Sequence, residues 1–339
     1  MERAIMCPQC NAALTPKRFA RSVVCAYCGA TVQLDEEAIS AKTFHEEFRI
    51  WNSPETYQFS SWVSIGDRHW ALDECIAHGD FSDVYTGQRA RWPTELVLLK
   101  FLRDHKDIDL FENEWDAIQA LHGSDAPGAD EFTTLIPQPI IQGDISSGSQ
   151  KGKRVSIFRW IGGFHHTLDE VIQAYPKGIP PRASIWMWRR ILEVLTFIHA
   201  SGMIHGAVLP PHLLVQENEH GMRLVGYSCC GRTGKKVRAI SKGFESFYPQ
   251  EKCSKLKLSK QLDLAMSARC IATALGGDPE SGSLPKEVPA LLAKIVQRVA
   301  QIKPTGAPGE DAWNIREELG EMAEQVYGPP QFIPIVMPS

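Results

Sequence analysis

A chain of 339 residues, 43% hydrophobic and 22% charged, suits one ordinary-to-large domain plus an accessory piece and can bury a real core. Its formal net charge of −4 gives no electrostatic case for nucleic acid or membrane as an obligatory partner. The N-terminus lacks a signal peptide's apolar stretch and no run of about 18 apolar residues marks a membrane span, so a reducing cytoplasm is the expected compartment.

Residues 1–34 carry four of the nine cysteines, spaced C-x2-C-x14-C-x2-C at Cys7, Cys10, Cys25 and Cys28. Each C-x-x-C forms a tight knuckle presenting two thiolates, and two knuckles complete a tetrahedral S4 site with no open position, which points to structural zinc. Asn11 and Gly29 follow the second cysteine of each pair, and both residue types tolerate the left-handed conformation that closes such a turn. The segment resembles the zinc-ribbon family. Iron, held as in rubredoxin, is the rival ion, whereas a redox pair does not need two matched knuckles. A unit this small cannot stabilise itself by burial, so metal supplies its folding energy, on the order of 10 kcal/mol. Arg3, Lys17, Arg18 and Arg21 make nucleic acid an alternative contact for the ribbon, beside a protein partner.

Residues 35–66 read as a connector, helical over 34–48 and irregular around Asn52-Ser-Pro. From residue 67 the pattern turns strand-like: Trp70–Ile76, Asp83–Gly87, Glu95–Lys100 and Val155–Ile161 are short, apolar or β-branched, and bounded by turn residues. One helical pattern, Leu110–Leu121, interrupts them. Residues 123–153 read as loops around one strand. The second half is helical, with apolar-periodic runs at Ile185–His199, Leu262–Leu275 (closed by Gly276-Gly277) and Ala290–Ile302 (stopped by Pro304). Strands followed by helices imply an α+β domain of two lobes over 67–328. The tail, 329–339, has too many prolines to be helical.

Several motifs in order make 67–328 resemble the protein kinase family, which implies a bilobal fold with a small β-rich lobe and a helical lobe. Ile76–Gly87 resembles the glycine-rich loop, with Gly79 at its middle glycine and Val84 at the valine that covers adenine; Ala77 and Ser82 replace the outer glycines. Asp80 and Asp83 put negative charge where phosphates would lie. Lys100 matches the phosphate-binding lysine and Glu114 the helix glutamate that pairs with it, while Phe158 falls at the back of the nucleotide pocket.

His199–Val215 aligns with the catalytic loop without a gap: His205 and Pro210 match. Gly206 replaces the arginine, Ala207 the aspartate that accepts the substrate proton, Leu209 the lysine, and His212 the metal-binding asparagine. Gly226, Tyr227 and Ser228 stand where Asp-Phe-Gly would be. Asp263 matches the aspartate that ties down the catalytic loop, and Ala307 replaces the arginine that would pair with Glu251. The basic stretch between Ser228 and Tyr248 reads as a solvated loop.

The resemblance therefore implies a kinase fold whose chemistry positions, Ala207, His212 and Gly226, are degenerate. The expectation is a pseudokinase that scaffolds or regulates a protein partner without membrane contact. The alternatives are a residual kinase or nucleotide sensor that binds ATP through Gly79, Val84, Lys100 and Glu114, and an adaptor whose ribbon contacts nucleic acid.

Overall fold

The structure, a computed structural model, describes residues 5–7, 10, 12–14, 22–26, 28–33, 61–90, 94–216, 220–249, 256–304, 309–333 and 335–337. The chain divides into two units, Met1–Gln58 and Phe59–Ser339. In the first, β1 (Ile5–Met6) pairs with β2 (Ala13–Leu14), and β3 (Ser22–Val24) with β4 (Thr31–Gln33), both antiparallel. The two knuckles close alike: the Cys7 N–H donates to Ala12 C=O and the Cys25 N–H to Ala30 C=O, each at 2.8 Å. Gly29 takes the left-handed conformation at φ 73°. Asn11 and the helix expected at 34–48 lie outside the described residues.

The second unit opens with β5 (Ser61–Ile65), β6 (Arg68–His78), β7 (Ser82–Arg89) and β8 (Leu96–Leu102), followed by α1 (Ile108–His122) and a short α2 (Ala129–Phe132). Then come β9 (Pro139–Asp144), β10 (Ser147–Gly148) and β11 (Arg154–Arg159). The seven strands form one antiparallel sheet in the order β10-β5-β6-β7-β8-β11-β9. The connector expected to reach residue 66 is thus corrected. Ser61–Ile65 alternates as a strand does, buries Val63 completely, and turns into β6 through Gly66-Asp67, with Gly66 at φ 59°. Residues 123–153 likewise hold a short helix and two strands rather than one strand.

The two-residue period of β8 decides which groups reach the cleft. Val97, Leu99 and Phe101 are buried in the sheet core with Trp70, Val155 and Ile157, so Lys100 projects from the other face, toward α1. On α1 the buried stripe is Phe111, Glu114, Ile118 and Leu121, spaced three and four apart. A glutamate inside that stripe meets whatever the sheet presents.

The helical lobe contains β12 (His166–Thr167), α3 (Leu168–Ala174), α4 (Pro181–Ala200) and β13 (Met203–Ile204). It continues with β14 (Leu213–Gln216), β15 (Gly221–Leu224), β16 (Gly231–Arg232), α5 (Lys260–Ala274), α6 (Ala290–Ala300) and α7 (Ala312–Tyr327). α3 and α7 were not anticipated. Thr167 and Glu170 form a capping box that starts α3, and the Asp311 side chain caps α7. α5 is buried on nearly every side and packs against α4 and α6, which makes it the central post of the lobe.

The tail after Tyr327 belongs to this lobe rather than standing apart. Ile335 is buried, and the Tyr175 hydroxyl donates to Val336 C=O. His220 donates from Nε2 to Ile333 C=O at 2.6 Å, its ring stacked between Trp186 and Phe332 at 4.3 and 4.0 Å. Pro-rich backbone has few donors of its own, so side chains of the lobe satisfy its carbonyls. Among the described residues, no helix is long and apolar enough to cross a membrane.

Candidate functional site: a four-thiol centre and an interlobe cleft

The sulfurs of Cys7, Cys10, Cys25 and Cys28 all lie within 4.8 Å of one another. The hairpins interleave, with Cys7 Sγ 3.6 Å from Cys28 Sγ and Cys10 Sγ 3.5 Å from Cys25 Sγ. Tetrahedral coordination at about 2.3 Å per Zn–S bond sets ligand sulfurs roughly 3.8 Å apart, so this spacing suits one such ion. Cys7 and Cys25 are buried with Leu14, whereas Cys10 and Cys28 face outward.

In the second unit the cleft between sheet and helices is built around a buried ion pair. Lys100 Nζ donates to Glu114 Oε2, and both side chains are largely removed from solvent. The other oxygen of Glu114 accepts the Tyr227 N–H at 3.2 Å, so one carboxylate holds the sheet lysine and the backbone after Gly226 together. Asn113, the preceding residue, donates to Ser228 C=O and Cys230 C=O at 2.8 and 2.9 Å. Val84 sits directly across the ladder from Lys100. At the tip of the β6–β7 hairpin, Gly79 makes a tight turn onto Ser82 C=O, and Phe81 places its ring 5.3 Å from Lys100 Nζ. Asp80 accepts the Ser241 hydroxyl at 2.6 Å, which ties this tip to the segment after residue 228.

Below the ion pair, Asp263 is fully buried on α5. Its carboxylate accepts the N–H groups of His205 and Gly206, both at 2.8 Å, and His199 Nε2 at 3.0 Å. His205 donates from Nε2 to Val225 C=O at 3.1 Å and sets its ring edge-on to Tyr227 at 4.6 Å. Burial holds His205 neutral, its pKa down to about 4, against an opposing pull from Asp263. His212, also lowered chiefly by burial, donates from Nδ1 to Ala207 C=O at 2.8 Å.

Gly226 and His212 fit each other. Gly226 has φ 79°, and a Cβ there would lie 2.6–2.7 Å from three atoms of the His212 ring. A side chain at 226 and this imidazole cannot share the space. Gly206 is comparable: φ is 72°, and a Cβ would lie 2.5 Å from Leu258 Cδ2. Leu258 therefore fills the room an arginine at 206 would need to leave the backbone.

No protein-family model matches the chain. The crystal structure of the BubR1 kinase domain is similar to it over 87% of this chain and 95% of that one, with a TM-score of 0.58 and 13% identity. The chain has a protein-kinase-like fold. A curated relative, the serine/threonine-protein kinase stk11 homolog of Dictyostelium discoideum, is 22% identical over 148 residues, 43% of this chain and 24% of that protein. The chain thus matches about a quarter of that relative's length. The four-cysteine cluster fits a zinc ribbon ahead of the kinase-like unit.

Within this kinase-like fold the structure brings Lys100, Glu114, His205, His212, Gly226 and Tyr227 into one connected cluster, with Ala207 buried beside it. Phe158 is buried behind it, its ring 5.7 Å from that of Trp115. The basic segment is solvated at Arg232, Lys235, Lys236 and Lys242, while Arg238 pairs with Asp109 at 3.7 Å. Glu251 and Ala307 lie outside the described residues.

Sequence reading passed over Asn113 and Arg269. Arg269 is a buried guanidinium on α5 that donates to Ser246, Tyr248 and Ala300 C=O at 2.6, 3.2 and 3.1 Å, anchoring the chain around residues 246–248 to the helical lobe. Its signal was an arginine in the middle of an apolar helix, which must find acceptors once buried.

Two outcomes are expected. Gly226→Ala costs about 1–3 kcal/mol in urea unfolding, and adding His212→Ala recovers part of the loss because the clash is removed. His205 is neutral in the folded chain down to about pH 4 but protonates near 6.5 when unfolded, so the unfolded state binds more protons between these values. Stability is then full above pH 6.5 and falls by about 3 kcal/mol as pH drops toward 4. Melting curves across this window check it, with His205→Gln giving a flatter profile.

Proposed function

We propose that the chain is a pseudokinase, a kinase-like module that acts by binding a protein partner as scaffold or regulator. The observation that carries this reading is the packing of the His212 imidazole against Gly226, beside Ala207. The three positions that resemble the general base and the two metal ligands of a kinase offer a methyl group, a neutral ring and no side chain. A general base is worth roughly 10²–10⁴ in rate. Phosphoryl transfer otherwise rests on positioning and on metal ions that neutralise phosphate charge. Mg²⁺ takes oxygen ligands, and His212 Nδ1 is already committed to Ala207 C=O. Phe81 beside Lys100 and Asp80 at the hairpin tip further disfavour a triphosphate.

A second reading has its own support. The ion pair of Lys100 and Glu114 is intact, and Val84 lies opposite the lysine, so ATP bound without metal and without turnover would make the module a nucleotide sensor. In both readings the ribbon is a structural zinc site that supplies folding energy to the first unit.

The test is a thermal-shift titration of the zinc-replete protein with ATP, with and without Mg²⁺ or Mn²⁺, followed by a radiolabel phosphotransfer assay. The scaffold reading expects no shift and no transfer. A rise in melting temperature independent of metal, abolished by Lys100→Ala, selects the sensor. A metal-dependent rise with phosphotransfer overturns the pseudokinase reading. Elemental analysis is expected to find one zinc per chain, lost on Cys7→Ser, with the second unit's melting transition unchanged; iron in its place would refute zinc.

A further inference from the structure

Away from the interlobe cleft, α4, α7 and the start of the tail border a cavity of about 530 Å³. That volume lies in the range of small-molecule sites. Arg182, Trp186, Arg189 and Glu193 follow one another at helical spacing on α4, so a single face of that helix lines the cavity. α7 contributes Arg316, Gly320 and Tyr327, and Pro329, Pro330 and Ile333 of the tail add an apolar wall.

The charges around this cavity are not all matched. Glu193 accepts from Arg190 Nη1 at 2.8 Å and from Arg316 Nε at 2.9 Å, and Arg316 also pairs with Glu317. Arg182 lies over the Tyr327 ring, 4.8 Å from its centroid. Arg189 differs from all three. Among the described residues it has no hydrogen-bond, ion-pair or ring partner, and its Nε is shielded from solvent without an acceptor. Its guanidinium lies against α7 at Gly320, where a Cβ would sit 3.7 Å from Cζ and 3.8 and 3.9 Å from the two outer nitrogens. Burial, then the Arg316 charge, lowers its pKa from the ordinary arginine value against the opposing pull of Glu193 and Glu317. A part-buried cation without a counter-ion is costly, and an anion brought to it offsets that cost.

The surroundings select the anion. Glu321 and Glu324 also line the cavity, exposed on α7, so a phosphate dianion would meet repulsion that a single negative charge feels less strongly. A carboxylate is planar and takes two parallel N–H groups from one guanidinium. We propose that this cavity binds a small organic monocarboxylate, its carboxylate on the Arg189 guanidinium and its apolar body against Tyr327 and the tail. No residue of this site belongs to the cleft cluster, so it stands whether or not that cleft binds nucleotide.

The experiment titrates the full zinc-replete chain with benzoate, 3-phenylpropionate and octanoate in a calorimeter. At least one of these acids is expected to bind at one site per chain, and its neutral amide about tenfold or more weakly, because the charge-assisted hydrogen bonds are lost. Arg189→Met should weaken binding by a similar factor while the melting temperature holds or rises, since the variant removes an unmatched cation. In the wild type, labelling of Arg189 by phenylglyoxal, followed by mass spectrometry of the peptide, should slow when the bound acid is present. No binding by any of the three acids, equal affinity for acid and amide, or unchanged affinity in Arg189→Met would each overturn the proposal. Phenyl phosphate binding more tightly than benzoate would overturn the choice of a carboxylate. A lowered melting temperature in Arg189→Met with unprotected labelling of the wild type would make the arginine structural and also overturn it. If the variant does not fold, protection of Arg189 in the wild type decides by itself.

Discussion

The buried carboxylate of Asp263 is the constraint on which the kinase-like unit depends. It has no exposure to water and, among the described residues, no lysine or arginine ion-paired with it, yet it stays satisfied because three donors converge on it. Two of these are successive backbone N–H groups, of His205 and Gly206, each at 2.8 Å, and the chain turns at Gly206 with a positive φ of 72°. The backbone at 205–206 is thus tied to a buried anion that it satisfies. Everything downstream inherits it: His205 is aimed at Val225 C=O and Tyr227, and the chain beyond carries His212 back against Gly226.

Glu114 plays the corresponding part between sheet and helices. It joins Lys100 of β8 to the backbone of Tyr227, so the sheet, α1 and the segment after Gly226 are coupled through one side chain. Removing either charge would strand its partner in a shielded site, which is worth several kcal/mol, whereas the pair itself adds little net stability. The pair thus has a structural use, since Glu114 holds both the lysine and the Tyr227 backbone. Residues 212 and 226 are coupled in the same way. The ring at 212 occupies the space that a side chain at 226 would require, so a side chain at 226 requires a change at 212.

Much of this was legible in the residue pattern because the signals were chemical and local. Four cysteines in two knuckles admit few readings, and the run through His205, Pro210 and Leu213 keeps its register without a gap. The apolar run before Lys100 and the helical spacing over Leu110–Leu121 marked a strand and a helix that the structure contains. Other features were not legible. β5 was taken for connector because five residues of mixed polarity are a weak signal, and only pairing with β6 makes Val63 a core residue. α7 was missed because its many charged residues blur the apolar stripe that Ile315, Leu319 and Met322 form against the lobe. The tail's prolines correctly excluded a helix but could not reveal that Ile335 is buried or that His220 grips the backbone at Ile333.

What the sequence by itself determined is the inventory: a four-thiol unit, an α+β unit with kinase-like motif order, and a methyl, an imidazole and a bare backbone at 207, 212 and 226. Residue identity fixes which chemistry is available, since alanine and glycine hold no proton acceptor whatever the fold. Only the tertiary structure decided what surrounds these positions. That the His212 ring fills the space beside Gly226, that Leu258 fills the space at Gly206, and that the Arg189 guanidinium lies against Gly320 are matters of distance between residues apart in sequence. Such distances follow from packing and from the satisfaction of buried polar groups across the whole unit, which no local pattern encodes.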